Sequence, residues 1–299
     1  MEILYWFESI RNPLLDAFFS SVTWLGHELI PIALICILYW CVNKSTAYKI
    51  GFSFFVSGLA TQALKVTFRI SRPWKLDPDF KPVENAVNEA TSYSFPSGHT
   101  QSATSVYSSL ALCIKKFWLR IILVIAFLLV GISRMYLGVH TLNDVLTALV
   151  LSLIVTLIVF RIFDKIGDNK KFDIYISLVF FILSAALIIY SFLLSSKGII
   201  SADSLEDCVK SGGAGIAFSI GYYIERKYIN FDVRTKAFRL QIVKVVLGLG
   251  VALGLKSGLK LLIGDSALAN GIRYFILVFF IVVIYPLIIK AFSNTNDEK

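Results

Sequence analysis

The sequence predicts an all-α fold, a polytopic membrane bundle of about nine transmembrane helices. Composition is the first reason: 57% of the residues are hydrophobic, whereas a soluble domain contains about 45–50%. Charge is the second, because only 16% of the residues are charged, against about 25% in a typical soluble domain. The third is pattern: apolar runs long enough to cross a bilayer recur along the chain, with short basic loops between them.

The first residues differ from the apolar runs that follow them. Residues 3–20 are aromatic and amphipathic, and Arg11, Pro13 and Asp16 interrupt them. This pattern is typical of a helix that lies in the membrane interface rather than across it. We therefore expect residues 1–26 to form an amphipathic interfacial segment.

Nine stretches are apolar enough, or suitably placed, to be predicted spans. They are residues 27–42, 47–69, 99–114, 118–138, 141–161, 173–195, 209–225, 239–263 and 271–292. The stretch 99–114 is short and rich in Ser and Thr, and its assignment depends on its position between polar segments on opposite sides of the membrane. The stretch 209–225 is rich in Gly, which permits close helix packing. Residues 293–299 are polar, and we expect a disordered tail there.

Loop charges predict the orientation, because Lys and Arg concentrate in short cytoplasmic loops. The other side carries residues 70–98 and the net acidic loop 196–208. We therefore expect the basic side to face the cytoplasm and residues 70–98 to face outward from the cell membrane. The basic side is defined by Lys44, Lys49, Lys115, Lys116, Arg120, Arg161, Lys165, Lys170, Lys171, Arg226, Lys227, Arg234, Lys236 and Arg239.

Several other classes of protein fit the sequence poorly. The net charge of +9 resides largely in the loops between apolar runs, so it does not indicate a nucleic-acid partner. Glu2 and Glu8 precede any apolar core, which is unlike a signal peptide. The cysteines form no CxxC and no metal-ligand pattern with His, so we expect neither a disulfide framework nor a metal site. They are Cys36, Cys41, Cys113 and Cys208.

The first of three motifs with chemical meaning is a pair of cations at the outer end of the second predicted span. Lys65 and Arg72 are seven residues apart, which places them within about 20° on one helical face. Arg69 is also near that face, and Pro73 is expected to end the span. Converging cations require an anion. Taken alone, the pair is equally consistent with side chains that reach towards lipid headgroups.

The second motif opens the third predicted span. Ser97 is expected to be the N-cap of this helix, with Gly98 and His99 in its first turn. A helix N-terminus presents free N–H groups to a phosphate, and glycine lets the backbone approach it closely. A simple turn after Pro96 is the alternative for this motif.

The third motif lies between the fourth and fifth predicted spans and contains Ser133, Arg134, His140 and Asp144. A carboxylate four residues after a histidine can fix the tautomer of the imidazole and leave its other nitrogen free to react. A structural His–Asp pair on a helix is the alternative. An even number of spans separates the three motifs, so all three are predicted on one side of the membrane. His27, the remaining histidine, lies outside them and is assigned no role.

Together these motifs resemble the signature of the type-2 phosphatidic acid phosphatase (PAP2) family, K-x6-RP, PSGH and SR-x5-H-x3-D. The resemblance covers about residues 45–160 and implies a phosphatase core over residues 27–195. Residues 196–292 would then be additional C-terminal transmembrane helices. The matching positions are Lys65, Arg72, Pro73, Pro96, Ser97, Gly98, His99, Ser133, Arg134, His140 and Asp144.

The resemblance implies a mechanism without metal or cofactor. His140 would be the nucleophile and form a phosphohistidine, Asp144 would orient it, and His99 would act first as general acid and then as general base. The resemblance also implies a phosphate cradle, whose members would be Lys65, Arg72, Ser97, Gly98 and Arg134.

The sequence leaves the substrate open. The resemblance includes phosphatidate and phosphatidylglycerophosphate phosphatases, undecaprenyl diphosphate phosphatases, sphingoid-base phosphatases and the glucose-6-phosphatase branch. A lipid is favoured, because the cradle is predicted at the membrane boundary. From another class, a transport protein or a catalytically inactive lipid-phosphate-binding protein remains the alternative, since intramembrane lysines such as Lys244, Lys256 and Lys260 can mark a path.

Overall fold

The computed structural model describes residues 1–88, 90–233 and 238–297, and every regular element within them is helical. The all-α prediction is therefore confirmed for this part of the chain. The chain divides into two compact units, both built from discontinuous segments. The predicted loop residue Glu89, the basic loop residues Arg234 and Lys236, and the end of the predicted tail at 298–299 lie outside the described residues.

The first unit comprises residues 1–32, 49–161 and 198–204. Its long central helices are α7 and α8, which pack along each other. Its elements are α1 (Glu2–Ser9), α2 (Pro13–Thr23), a 3-10 turn (Trp24–Gly26), the start of α3 (Leu29–Ile37), most of α4 (Lys44–Phe68), α5 (Pro73–Leu76), α6 (Glu84–Val87), α7 (Gly98–Cys113), α8 (Phe117–Tyr136) and most of α9 (Leu142–Ile166).

The second unit comprises residues 33–48, 162–197 and 205–299. It contains the remaining parts of α3, α4 and α9, and helices that continue through π-helical turns at Leu38–Val42, Glu225–Ile229 and Phe280–Ile284. Its other elements are a 3-10 turn (Lys170–Phe172), α10 (Asp173–Ser196), most of α11 (Ala202–Ile224), α12 (Phe238–Ile263), α13 (Ala267–Phe279) and α14 (Tyr285–Asp297).

Within the described residues, five helices are long and apolar enough to cross a membrane, or six if the bent pair Pro13–Gly26 and Leu29–Val42 forms one span. The five are Phe117–Tyr136, Leu142–Ile166, Lys170–Ser196, Arg239–Ile263 and Ala267–Phe292. The predicted count of nine spans is not confirmed.

The three remaining predicted spans correspond to α4, α7 and α11, which are helical but less apolar. The reason is clearest in α7, where residues 100–109 are all buried and six of the ten are Ser or Thr. A helix enclosed by protein does not need an apolar surface towards lipid, so hydropathy alone underestimates its membrane character.

The predicted interfacial segment consists of two helices rather than one. Asn12 caps α2 by accepting a hydrogen bond from the Leu15 backbone N–H, and Pro13 occupies the first helical position. Leu4 and Phe7 of α1 are buried, whereas Trp6 is 57% exposed. Helix α1 therefore presents one apolar side to the protein and another to its surroundings.

The loop between α4 and α7 is attached to the N-terminal helices. Tyr5 donates a hydrogen bond to Asp77 at 2.8 Å, and Arg11 donates to the backbone carbonyls of Lys81 and Tyr136. Phe80 is buried in the same apolar cluster as Leu4 and Tyr136. These contacts give the first unit a small apolar core beneath the loop between α4 and α7.

Two carboxylates buried in the second unit are paired with neighbours in that unit. Glu225 is fully buried; Lys44 lies 2.8 Å from one of its oxygens and Tyr48 donates to the other. Asp173 accepts hydrogen bonds from Tyr222 and Arg226. Such paired groups avoid the large cost of an isolated buried charge.

Candidate active site

The predicted site residues come from three segments of the first unit. They lie at the end of α4 and in the following loop, at the start of α7, and at the junction of α8 and α9. The expectation that Lys65 and Arg72 share a helical face is wrong, because α4 ends at Phe68 and Arg69 has a left-handed φ of 53°. Arg72 instead lies in extended backbone just before α5, with Pro73 as the first residue of that helix.

Lys65 and Arg72 nevertheless converge on the same short stretch of backbone. Lys65 Nζ donates to the Tyr93 carbonyl at 2.5 Å, and Arg72 Nε donates to the Ser92 carbonyl at 2.9 Å. Both cations are buried, with 5% and 6% exposure respectively. Backbone carbonyls, rather than the predicted shared helical face, therefore hold these two cations close together. Arg69 is exposed and donates a hydrogen bond to the Val66 carbonyl at the end of α4.

Arg72 fixes the protonation pattern of His140. Arg72 Nη1 lies 3.0 Å from the Val139 carbonyl and 2.9 Å from His140 Nε2. Because a guanidinium only donates hydrogen bonds, His140 Nε2 must be the acceptor and carries the lone pair. The proton of the neutral ring therefore resides on Nδ1, on the side of Asp144.

Asp144 is held by more groups than the sequence motif contains. Ser94 Oγ donates to its Oδ2 at 2.5 Å, and the Thr141 backbone N–H donates to the same oxygen at 2.7 Å. His140 Nδ1 lies 3.5 Å from this oxygen, longer than an ordinary hydrogen bond. Ser94 lies two residues before Pro96 and was assigned no role from the sequence, and Thr141 was not singled out.

His140 lies in the link 137–141 between two candidate spans. Burial there lowers its pKa well below the ordinary value. The neighbouring charges of Arg72, Arg134 and Lys65 lower the pKa further, and a hydrogen bond with the Ser94 backbone acts in the opposite direction. The imidazole is therefore neutral at neutral pH, the form in which Nε2 can act as a nucleophile.

The start of α7 has the predicted geometry. Ser97 is the N-cap: its Oγ accepts from the Thr100 backbone N–H and its own N–H donates to the Asp144 carbonyl at 3.1 Å. That backbone bond connects the starts of α7 and α9. An added Cβ at Gly98 would have nothing within 4 Å, so open space adjoins this first helical residue. Backbone N–H groups at a helix start facing open space suit an anion.

Arg134 and His99 have partners in the N-terminal segment. Arg134, 1% exposed, donates from Nη1 to Thr23 Oγ1 at 2.8 Å. The ring of His99 lies 6.0 Å from that of His27, centroid to centroid. The sequence motifs gave no role to Thr23 or His27, and no spacing rule links them to residues far along the chain.

Direct contacts join Lys65, Arg72, His140 and Asp144 through residues 92–94, and Ser97 joins them through the Asp144 backbone. Within the described residues, no three His, Cys, Asp or Glu side chains are grouped as metal ligands would be. The group offers a neutral imidazole whose Nε2 lone pair accepts from Arg72, an oriented carboxylate and neighbouring cations. This combination suits the transfer of an anionic group such as phosphoryl.

Two sequence families match the chain. The PAP2 superfamily matches residues 46–168, and the PAP2 superfamily phosphatase transmembrane extension matches residues 209–296. The first match covers the region that contains the three motifs, and the second covers the later helices.

Three curated relatives are similar to the chain. Phosphatidylglycerophosphatase B of Bacillus subtilis (strain 168) is 31% identical over 173 residues, which are 54% of this chain and 82% of the relative. Sphingosine-1-phosphate phosphatase 1 of Rattus norvegicus is 26% identical over 214 residues, 70% of this chain and 48% of the relative. Undecaprenyl-diphosphatase BcrC of Bacillus subtilis (strain 168) is 28% identical over 158 residues, 52% of this chain and 79% of the relative. The chain is therefore a multi-pass membrane phosphatase that belongs to the PAP2 superfamily.

Proposed function

We propose that this enzyme hydrolyses lipid phosphate monoesters or diphosphates at the extracytoplasmic face of the membrane, through a phosphohistidine on His140 and without a metal. The observation that carries the proposal is the contact between Arg72 Nη1 and His140 Nε2 at 2.9 Å. It places a nucleophilic lone pair beside a cation that can bind the phosphoryl group, and Asp144 lies on the opposite side of the ring.

In the first step, substrate phosphate oxygens replace His140 as the partner of Arg72, and Lys65 and Arg134 share their negative charge. His140 Nε2 attacks phosphorus and forms the N–P bond while the bond to the lipid oxygen breaks. His99, protonated beside the bound dianion, gives its proton to that leaving oxygen. Asp144 stabilises the charge that develops on the ring through the Nδ1 proton.

In the second step, neutral His99 takes a proton from water as the water oxygen attacks phosphorus. The N–P bond breaks, its electron pair returns to His140 Nε2, and inorganic phosphate leaves. Ser97 and the Gly98 N–H contribute donors to the phosphoryl oxygens in both steps. The open space beside Gly98 is where we place one of these oxygens.

A lipid substrate is supported by the position of the site and by the relatives. His140 lies between α8 and α9, both candidate membrane spans, so the site sits at one end of these spans. The relatives are named for phosphatidylglycerophosphate, sphingosine-1-phosphate and undecaprenyl diphosphate. All three compounds are lipids whose polar headgroup ends in a phosphate.

Purified protein in detergent should release inorganic phosphate from at least one of phosphatidate, phosphatidylglycerophosphate, sphingosine-1-phosphate and undecaprenyl diphosphate. The rate should be unchanged by a chelator, because the proposed chemistry uses only side chains. Competition among the four substrates in one assay ranks them by kcat/KM. Loss of activity with chelator, restored by a divalent metal, would contradict the metal-free mechanism; no release from any of the four would contradict the function.

The outward orientation can be tested with cysteine labelling. Asn85 is exposed in the loop on the side of the site, whereas the natural Cys113 is exposed just before α8, at the other end of that span. With Cys41 and Cys113 replaced by Ser, Asn85→Cys should react with an impermeant maleimide in intact cells. This labelling is expected because Lys and Arg are concentrated in the loops on the opposite side of the membrane, which predicts that the opposite side is cytoplasmic.

The matched control retains Cys113 and replaces only Cys41, since Cys36 and Cys208 are buried. This protein should be labelled only after the cells are permeabilised. The reverse pattern in the two proteins would place the site in the cytoplasm and assign the substrate to the inner leaflet.

A further inference from the structure

The N-terminal turn Trp24–Gly26 is anchored against the helices that bear the candidate site. Tyr107 of α7 donates a hydrogen bond to the Leu25 carbonyl at 2.7 Å. Gly26 lies so close to α7 and α8 that an added Cβ would fall 2.6 Å from the His99 carbonyl oxygen and 2.7 Å from Val130. The turn therefore has a fixed position beside His99.

Thr23, which ends α2 before this turn, touches the site directly. Its Oγ1 accepts the 2.8 Å hydrogen bond from Arg134, and both side chains are buried. The bond ties one of the proposed phosphate-binding cations to the N-terminal segment. That segment precedes residue 46, where the match to the PAP2 superfamily begins.

His27 follows the turn and is partly exposed, with its ring centroid 6.0 Å from that of His99 and 4.6 Å from that of Trp24. The Leu29 backbone N–H is directed at His27 Nδ1 at 3.5 Å, which is the long limit of a hydrogen bond. An imidazole that accepts at Nδ1 carries its proton on Nε2, which makes that nitrogen a hydrogen-bond donor.

The geometry of in-line displacement at phosphorus explains why the position of His27 beside His99 matters. If His140 attacks phosphorus, the leaving oxygen departs on the opposite side, where the acid His99 must lie. A side chain next to His99 is then next to the leaving group rather than next to the transferred phosphoryl group. Trp24, 48% exposed beside His27, offers an apolar surface towards the surroundings on this same side.

We propose that the turn Thr23–His27 is the leaving-group wall of the active site, with His27 donating a hydrogen bond to an acceptor oxygen of the leaving group next to the scissile bond. The proposal rests on the proposed function and narrows its substrates. The favoured class is a lipid phosphate whose leaving group carries such an oxygen, either a glycerol hydroxyl or ester oxygen or the second phosphate of a diphosphate. A simple alkyl phosphate lacks it.

The test compares hexadecyl phosphate with palmitoyl lysophosphatidate and farnesyl diphosphate as substrates of wild-type enzyme, His27→Ala and His27→Gln. One hydrogen bond to a substrate accounts for about tenfold in kcat/KM. We expect His27→Ala to lose about tenfold with lysophosphatidate, farnesyl diphosphate or both, and to keep most of its activity with hexadecyl phosphate. Glutamine, which can also donate, should recover part of the loss.

Ser21→Ala is the matched control, since Ser21 lies on the exposed side of α2 and bonds only its own helix at Ala17. It should leave all three rates unchanged. An equal loss by His27→Ala on all substrates would show that His27 only supports the packing of His99, and would overturn the inference but not the function. Unchanged rates on all three would also overturn it. Absence of release by wild-type enzyme from all three would overturn the inference, and the proposed function would fall with it only if the four lipids of its own assay also gave no release.

Discussion

Replacement of His140 by alanine is expected to reduce phosphate release by about 10⁴-fold or more, since the loss of a covalent nucleophile removes the whole reaction path. The structure makes this expectation specific to Nε2 of His140. Nε2 bears the lone pair because Arg72 donates to it, and burial together with three neighbouring cations keeps the ring neutral. The measurement is steady-state phosphate release with the preferred lipid, with the unfolding temperature of each variant measured in the same detergent.

A trapping experiment separates a nucleophile from a general base at this position. Wild-type enzyme quenched in base during turnover of a labelled substrate should carry an acid-labile phosphoryl group, and His140→Ala should carry none. His99→Ala should behave differently with a substrate whose leaving group needs no proton, such as p-nitrophenyl phosphate. It should still be phosphorylated but should hydrolyse the intermediate slowly, because water activation requires His99.

Two results would contradict this assignment. If His140→Ala retained more than about one hundredth of the wild-type rate, His140 could not be an essential nucleophile. If the phosphoryl label were trapped on His140→Ala as well as on His99→Ala, a residue other than His140 would be the attacking group. Either result would leave the membership of the superfamily intact and change the chemistry.

The helical fold and the grouping of the three motifs were predictable from the sequence, for reasons that differ in strength. Ser97 was predicted as an N-cap from its type and position, and the structure confirms it. Lys65 and Arg72 were predicted together through a helix that in fact ends between them. The two cations nevertheless lie close together because the backbone carbonyls of residues 92 and 93 accept hydrogen bonds from them, which no helical spacing could reveal.

The contributions of Ser94, Thr23 and His27 could not be predicted in the same way. Ser94 lies close to the PSGH motif in sequence, yet its bond to Asp144 depends on how the loop before α7 folds onto α9. Thr23 meets Arg134 across 111 residues of sequence. Such contacts arise from tertiary packing, and neither hydrophobic period nor residue spacing encodes them. The predicted count of nine spans is not confirmed for a related reason, since hydropathy reports exposure to lipid and α7 is largely enclosed by protein.

Replacement of Arg72 by methionine is expected to lower kcat/KM by about 10³-fold, the order found when a preorganised donor to a transferring group is removed. Methionine preserves much of the volume but removes three contacts: those to the Ser92 and Val139 carbonyls and that to His140. The pH dependence supplies a second readout. Because the charge of Arg72 lowers the pKa of His140, its removal raises that pKa, and the acid limb of kcat/KM should move to higher pH.

Arg69→Met is the matched control, since Arg69 lies three residues away, is exposed and donates from its side chain to the nearby Val66 carbonyl of α4. It should keep the wild-type rate and pH profile. Arg72→Lys should be intermediate, because lysine retains the charge but cannot direct Nε and Nη1 to two different carbonyls at once. Equal effects of Arg69→Met and Arg72→Met would mean that both cations act only through the general positive field. The geometry requires the opposite, since only Arg72 of the two touches the nitrogen on which the proposed chemistry depends.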